Sequence, residues 1–357
     1  MKTRQHGLDL GRLIAMFFVI MLHEYAILTS MYPLLRTSPV GSSLGFGYQL
    51  TIIAKSFVNV FFLISGAYVL KSARTMETAS FYRKAWKRLG IPTLIFSLIF
   101  FVSDLAFKMA AGYLNRDNLF TAEGLGTAVI DLLSGKASTH LWYMFVLIGL
   151  YLLAPFICKA REMLGERGFT AAAWIMLIWG TASALSGSNQ FTWDVRNVLA
   201  YAGIYMMGYV LFQKYSGTKD NRKAAFFFLL AAVLCAANHW LVLFLYSRGM
   251  SSGLVNALLS QESYGPSKQL IGMLLFLGFL TLDYKRDVSY LSGLTYWVYL
   301  IHPLIVLWLT AGVIERHFGF IRNASDFMAF MVLLAYGVLT YIISMLLSAL
   351  YTAVTKK

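Results

Sequence analysis

The sequence has few charged residues, few prolines and almost no cysteine. Only 13% of its 357 residues are charged, against about 25% in a typical soluble domain, and 59% are hydrophobic. The mean hydropathy is +0.65. Such a composition excludes a disordered chain, a coiled coil and an ordinary soluble enzyme. It predicts a polytopic membrane protein.

Several kinds of site are also missing from the sequence. The two cysteines, Cys158 and Cys235, both lie in apolar runs, so they do not indicate a disulfide framework. There is no P-loop, and no histidines or cysteines are paired at the spacing of metal ligands. We therefore expect no metal site.

Long apolar runs account for most of the chain. A helix needs about 20 apolar residues to cross the hydrocarbon core of a bilayer. The candidate spans are 8–32, 50–70, 90–112, 139–158, 169–186, 196–213, 224–246, 267–282, 288–310 and 326–353. We expect an all-α transmembrane helix bundle of these ten spans, with residues 1–357 forming a single integral-membrane domain.

The positive charge is distributed unevenly along the chain. There are 30 Lys and Arg against 16 Asp and Glu, which gives a formal net charge of +14. In a soluble protein this excess would suggest a nucleic-acid partner. With the N-terminus inside, however, the cytoplasmic segments hold 19 Lys and Arg and the opposite side holds 8. This bias follows the positive-inside rule, so it predicts cytoplasmic termini, a lipid bilayer as partner and no nucleic acid.

The densest group of basic residues lies in segment 71–89, where we expect a cytoplasmic loop. This basic cluster consists of Arg83, Lys84, Lys87 and Arg88. One interpretation is a topology signal beside anionic lipid. The other is a binding surface for a phosphorylated cytosolic ligand.

The first span contains three ionisable residues, Arg12, His23 and Glu24. Ionisable groups are costly inside a bilayer, so each is a functional hypothesis. Arg12 and His23 are 11 residues apart, within about 20° of three helical turns, so they share one face at a separation of about 16 Å. Glu24 lies about 100° further round the helix, where it can face a neighbouring helix.

Four titratable residues fall at a similar depth in spans that run in the same direction. They are His23, Asp104, His239 and His302, each about 21–23 Å from the cytoplasmic end by helix rise. Simpler interpretations stay open, because a lone intramembrane histidine can bond a carbonyl group between helices. Asp104 can likewise pair with Lys108 one turn later.

The ionisable residues of the first span belong to an ordered series of motifs. That span reads Leu8-Asp9-x-x-Arg12, and ten residues separate the arginine from His23. The later motifs are Phe61-Phe62-x-x-Ser65-Gly66, the basic cluster leading into Pro92, His140-x-Trp142-Tyr143 and Tyr296-x-x-Tyr299-x-x-His302. The series covers nearly the whole chain and resembles the acyltransferase family 3 membrane proteins, which acylate surface glycans and related acceptors. The chain departs from the family pattern at Gly11, where the family has leucine, and in the spacing of the arginines in the basic cluster.

The resemblance implies an O-acyltransferase with a cytoplasmic acyl-CoA donor, commonly acetyl-CoA. It implies that the acceptor is a lipid-linked or surface polysaccharide, and that the protein is a multi-pass protein of the bacterial cell membrane. Such a protein works alone or with separate glycan-assembly proteins. The catalytic candidates are His23, Glu24, Asp104 and His302, and the donor-binding candidates are Arg12, Ser65, Arg83, Lys84, Lys87 and Arg88. His23 would take a proton from the acceptor hydroxyl or carry the acyl group, with Glu24 or Asp104 orienting its ring.

Two other functions fit ten helices that contain Asp, Glu and His. One is a proton-coupled transporter, and the other is a flippase or a non-catalytic partner in glycan export. The sequence has no inverted repeat and only six prolines, which favours the acyltransferase over the transporter.

Overall fold

The computed structural model describes residues 4–31, 45–72, 75, 77–110, 140–185, 195–250, 263–314 and 326–355. Within these residues every regular element is helical and there is no strand, which confirms the all-α class. In the described part of the chain, seven helical segments are long and apolar enough to cross a membrane. The count of ten spans and the cytoplasmic location of both termini stay predictions.

Two segments of π-helical geometry occur among the described helices. The α-helices are α1 (His6–Met31), α2 (Gly45–Val69), α3 (Thr78–Ala85), α4 (Ile91–Ala110), α5 (Trp142–Leu185), α6 (Val195–Tyr215), α7 (Asn221–Ser247), α8 (Pro266–Thr281), α9 (Ser289–Ile305) and α10 (Asp326–Thr355). The first π segment is Trp86–Gly90, which joins α3 to α4. The second π segment is Val306–Ile314, which continues α9.

Two predicted spans, 139–158 and 169–186, belong to one long helix, α5. Its helical geometry is broken at Gly165, where φ is 65° and ψ is 174°. Glycine adopts such a positive φ at little cost, so a single residue separates the two halves of α5 where a loop was expected. The predicted span 267–282 corresponds to α8, which has 16 residues and is shorter than a full crossing requires.

The expectation of a loop throughout 71–89 was wrong for its second half. Residues 78–90 form α3 and the first π segment, and they run without a break into α4. Pro92, the second residue of α4, has no amide hydrogen and its ring displaces the carbonyl group one turn earlier. The wider π turn just before Pro92 accommodates this disturbance, so the helix continues through the basic cluster.

The chain forms two compact units. The first contains Met1–Ala67, Gly180–Gly187 and Ile204–Lys357, and the second contains Tyr68–Trp179 and Ser188–Gly203. In the first unit α1 is the central helix, because it packs against α8, α9, the second π segment and α10. The polar side chains of α1 therefore face other helices of the same unit.

Helices α2 and α6 cross at very close range within the first unit. A Cβ atom on Gly66 would collide with the carbonyl oxygen of Tyr205, and one on Gly208 would collide with the carbonyl oxygen of Leu63. Glycine on both helices lets the two backbones touch, as is common for helices in membranes. Gly66 is the last residue of the Phe61–Gly66 motif, so this part of the motif is explained by packing.

Replacing Gly66 by alanine should destabilise the protein, because the new methyl group has only backbone to displace. We expect Gly66→Ala to lower the free energy of unfolding by about 1–3 kcal/mol. Gly293→Ala is the matched control, since its added Cβ would meet no atom within 4 Å. Thermal unfolding of the two variants in the same detergent measures the difference, and equal stability would contradict the close crossing.

Candidate functional site

His23 and His302 form the centre of the site in the first unit. Helix α1 presents His23 and α9 presents His302, and the centroids of the two imidazole rings are 5.2 Å apart with an interplanar angle of 43°. The ring of Tyr299 lies 5.8 Å from that of His302. The contact agrees with the similar depth predicted for the two histidines. The structure therefore brings two catalytic candidates together.

A hydrogen bond fixes the tautomer of His302, and the two histidines differ in exposure. Nδ1 of His302 lies 3.1 Å from the carbonyl oxygen of Val298. A carbonyl oxygen can only accept, so Nδ1 carries the hydrogen and the neutral ring has its lone pair on Nε2. His302 is completely buried, whereas His23 is partly exposed. His23 is thus the more exposed residue of the pair.

The Arg12 end of the same helix face is built around Asp9. The carboxylate of Asp9 accepts hydrogen bonds from Arg4 Nε at 2.8 Å, Arg12 Nη1 at 3.3 Å and Ser292 Oγ at 3.0 Å. The side chain of Asp9 is 5% exposed and that of Arg12 is 28% exposed. Arg12 therefore keeps part of its side chain accessible, 11 residues along α1 from His23.

The beginning of α9 is held close to this end of α1. Asp287 Oδ1 accepts the backbone N–H of Ser289 at 2.9 Å, which satisfies one of the free amides at the helix start. The hydrogen bonds from Ser289 lower the pKa of the exposed Asp287 carboxyl group. Arg4 Nη2 also donates to the Ser289 carbonyl oxygen at 3.5 Å. These contacts fix the helix that presents Ser292 and His302.

Glu24 is completely buried and faces two other elements of the first unit. Its carboxylate oxygens accept hydrogen bonds from Thr310 Oγ1 at 2.6 Å and Thr340 Oγ1 at 2.5 Å. Thr310 lies in the second π segment and Thr340 lies in α10. This direction agrees with the 100° offset from His23 predicted from the sequence. Among the described residues these threonines are the hydrogen-bond donors to Glu24, so its predicted role in orienting His23 gains no support from its contacts.

The basic cluster belongs to the second unit, where it is exposed on a helix that is anchored to α5. Two of its residues end α3 and two lie in the first π segment, at spacings that place all four on one side of the helix. The ring of Phe81 stacks on Tyr151 at 5.7 Å, and Tyr82 donates to the carbonyl oxygen of Leu152 at 2.7 Å. The cluster is therefore a fixed cationic surface.

The other candidates lie on three different helices. Asp104 is partly buried on α4 of the second unit, and the side chain of Lys108, its predicted partner, lies outside the described residues. Ser65 is partly buried on α2, next to the close crossing at Gly66. His239 is partly exposed on α7. The roles predicted for Asp104 and Ser65 stay predictions, and His239 is not among the catalytic candidates.

Four polar residues around the α1 face were not identified as site residues from the sequence. Asp9 could have been found, because it lies three residues before Arg12 and so on the same side of the helix. Ser292, Thr310 and Thr340 give no such signal, since serine and threonine are common in membrane helices and their pairing depends on how the helices pack. The described residues contain no group of three or more His, Cys, Asp or Glu with the geometry of a metal site.

Removing a hydroxyl donor from Glu24 should destabilise the first unit. We expect Thr310→Val and Thr340→Val each to lower the free energy of unfolding by about 1–3 kcal/mol, because the buried carboxyl group of Glu24 then lacks one of its two hydroxyl donors. Thr93→Val is the control, since that buried hydroxyl bonds the Leu89 carbonyl of its own helix at 2.6 Å. Thermal unfolding in detergent measures all three, and threonine variants as stable as the control would contradict the role of Glu24 as a shared acceptor.

The sequence was compared with known families and proteins. A family model described as an acyltransferase domain, Acyl_transf_3, matches residues 5–349. A search of curated proteins and a search of solved structures return no match. The family match includes the histidine pair, the Asp9–Arg12 end of α1 and the basic cluster, and it confirms the resemblance found in the sequence motifs. Together with its apolar helices, this match shows that the chain belongs to the acyltransferase 3 family of membrane proteins.

Proposed function

We propose that the protein is an O-acyltransferase that moves an acyl group, commonly acetyl, from cytoplasmic acyl-CoA to a hydroxyl group of a polysaccharide. The observation that carries the proposal is the α1 face with accessible Arg12 at one end and the His23–His302 pair at the other. One end offers a cation for an anionic donor, and the other offers a base for a hydroxyl group. The family match supports the acyl-transfer chemistry.

His23 is the proposed general base. Its ring takes the proton from the acceptor hydroxyl group as the hydroxyl oxygen attacks the thioester carbonyl carbon. A carbon–oxygen bond forms, the carbon–sulfur bond breaks, and the CoA thiolate takes the proton back from the imidazolium ring. The reaction needs no further reactant, because the hydroxyl proton ends on the thiol.

His302 is proposed to assist His23 without contacting the acceptor. Its hydrogen bond to Val298 fixes the tautomer, so the neutral ring is a dipole of defined direction beside His23. A fixed dipole in a buried site stabilises charge that develops during a reaction without having to reorganise. We propose that it stabilises the imidazolium form of His23. Because His302 is completely buried, an indirect role is favoured over direct contact with the substrate.

The donor is proposed to bind through cationic side chains. CoA carries phosphate groups, and arginine binds phosphate through several N–H donors at once. Arg12 is one such group, and the basic cluster is a fixed surface of four more cations. Ser65 is proposed as a further donor contact.

The proposed acceptor is a surface or lipid-linked polysaccharide, and the proposed location is the bacterial cell membrane. Both follow from the family, whose members acylate such glycans. Separate glycan-assembly proteins are proposed partners, because the acceptor would be delivered by the machinery that builds it.

A proton-coupled transporter or flippase is the second candidate, and Glu24 is the observation that favours it. A carboxyl group that is buried between helices and bonded by neutral hydroxyl groups could take up and release a proton in such a transporter.

Purified protein given acetyl-CoA labelled in the acetyl group separates the two functions. Loss of the thioester in the presence of polysaccharide favours the enzyme, and accumulation of glycan in vesicles without acyl-CoA favours transport.

Replacing His23 by alanine should abolish acylation while the protein still inserts, because the ring that takes the hydroxyl proton is lost. We expect the acylated product to fall by at least about 100-fold, the usual contribution of a general base. The measurement is the acyl content of surface polysaccharide in cells that contain the variant in place of the native protein. His239→Ala is the control and should retain acylation, and normal acylation by a His23→Ala protein would contradict the mechanism.

Replacing Arg12 by alanine should mainly weaken use of the donor. We expect KM for acyl-CoA to rise about 10-fold or more, because a charge-assisted bond to phosphate contributes about 1.5–3 kcal/mol. Initial rates of CoA release at several acyl-CoA concentrations give KM and kcat separately. An unchanged KM would argue against Arg12 as a donor contact.

A further inference from the structure

Asp9 is a buried carboxylate that holds two arginines and a serine. It lies in the first turn of α1, and its side chain is 5% exposed. Oδ2 accepts from Arg4 Nε, and Oδ1 accepts from both Arg12 Nη1 and Ser292 Oγ. A buried carboxylate is stable only when it is paired and hydrogen-bonded, so this arrangement fixes the directions of its three donors.

The contact between Asp9 and Arg12 is single. One oxygen of Asp9 meets one nitrogen of Arg12 at 3.3 Å, and the other oxygen is bound by Arg4. An arginine in a forked pair with a carboxylate directs two nitrogens at it, whereas here Asp9 contacts Nη1 alone. Asp9 thus holds the guanidinium group through Nη1, while 28% of the Arg12 side chain stays exposed.

The same carboxylate also connects Arg12 to the helix that carries His302. Ser292 and His302 both lie on α9, and Arg12 and His23 both lie on α1. The Ser292–Asp9 bond joins the two helices at one end, and the His23–His302 contact joins them further along. Arg12 and the histidine pair therefore lie along the same two packed helices.

We propose that Asp9 is a positioning residue that orients Arg12 toward a phosphate group of the acyl-CoA donor. The inference rests on the proposed function, since it deepens the role given there to Arg12. Asp9 does not contact the donor in this account. It acts by limiting the guanidinium group to one orientation, which removes part of the entropic cost of binding the phosphate.

A double-mutant cycle on Asp9 and Arg12 tests the proposal. The variants are Asp9→Asn, Arg12→Ala and the double variant, each purified in detergent, and the readouts are KM and kcat for acetyl-CoA and the thermal shift produced by CoA. We expect Asp9→Asn to raise KM on the order of ten-fold with kcat within about two-fold of the native protein, a coupling typical of residues in contact. In the Arg12→Ala background the same change should raise KM no further.

Two control variants separate positioning from a structural role. Ser292→Ala removes the bond between α1 and α9 but leaves the carboxylate beside Arg12, so KM should stay near the native value. Asp220→Asn is the control for the Asp-to-Asn change itself. Asp220 caps α7 by accepting the backbone N–H groups of Arg222 and Lys223. A rise in KM in Ser292→Ala equal to that in Asp9→Asn would overturn the proposal, as would independent effects of Asp9 and Arg12.

The design also distinguishes this inference from the proposed function. If Arg12→Ala leaves KM and the CoA-induced thermal shift unchanged, the donor role of Arg12 fails. If Arg12→Ala loses the thermal shift and Asp9→Asn keeps it, the inference about Asp9 fails alone. Should Asp9→Asn not fold, Asp9→Glu replaces it, because it keeps the charge but displaces the guanidinium group. A native KM in Asp9→Glu would then overturn the proposal.

Discussion

The polar side chains of α1 must find their partners among the other helices of the protein, because the surrounding lipid offers none. Asp9 meets Ser292 at the beginning of α9, and His23 meets His302 further along the same helix. Glu24 meets Thr310 and Thr340 beyond it. Three successive levels of α1 are thus tied to α9, its π-helical continuation and α10. The arrangement of the first unit around α1 depends on satisfying these groups.

The three polar levels differ in their surroundings. Asp9 is surrounded by two arginines and a hydroxyl group, which leaves a cation accessible. Glu24 is surrounded by neutral hydroxyl groups and is completely buried, which suits a structural connection. His23 lies between them, partly exposed beside a ring whose tautomer is fixed. A histidine pair, a partly exposed arginine and a buried carboxyl group therefore lie along one helix at different depths.

Much of this could be predicted from the sequence. Composition alone indicated a membrane protein, and the spacing of Arg12 and His23 placed them on one face of a helix. The ordered motifs indicated the family that the match over residues 5–349 confirms. Each of these features depends on residue types and on their order and spacing in the sequence, without knowledge of how the helices pack.

The features that could not be predicted depend on contacts between elements or on interrupted helical geometry. The threonine partners of Glu24 lie 286 and 316 residues away, and no spacing in the sequence relates them to it. The helical structure of 78–90 was hidden by its charge, which is typical of loops between spans. The π turn before Pro92 and the break at Gly165 changed the boundaries of elements but left most predicted spans on helices.

The central claim is that an acyl donor enters at the Arg12 end of α1 and reacts at His23. Proteoliposomes that contain the native protein in one known orientation, with polysaccharide acceptor present on both sides, test it most directly. Labelled acetyl-CoA is supplied either outside or inside the vesicles, and label on the polysaccharide is counted. The account predicts labelling only when acetyl-CoA is supplied to the side that exposes Arg12. Equal labelling from both sides, or labelling only from the opposite side, would contradict it.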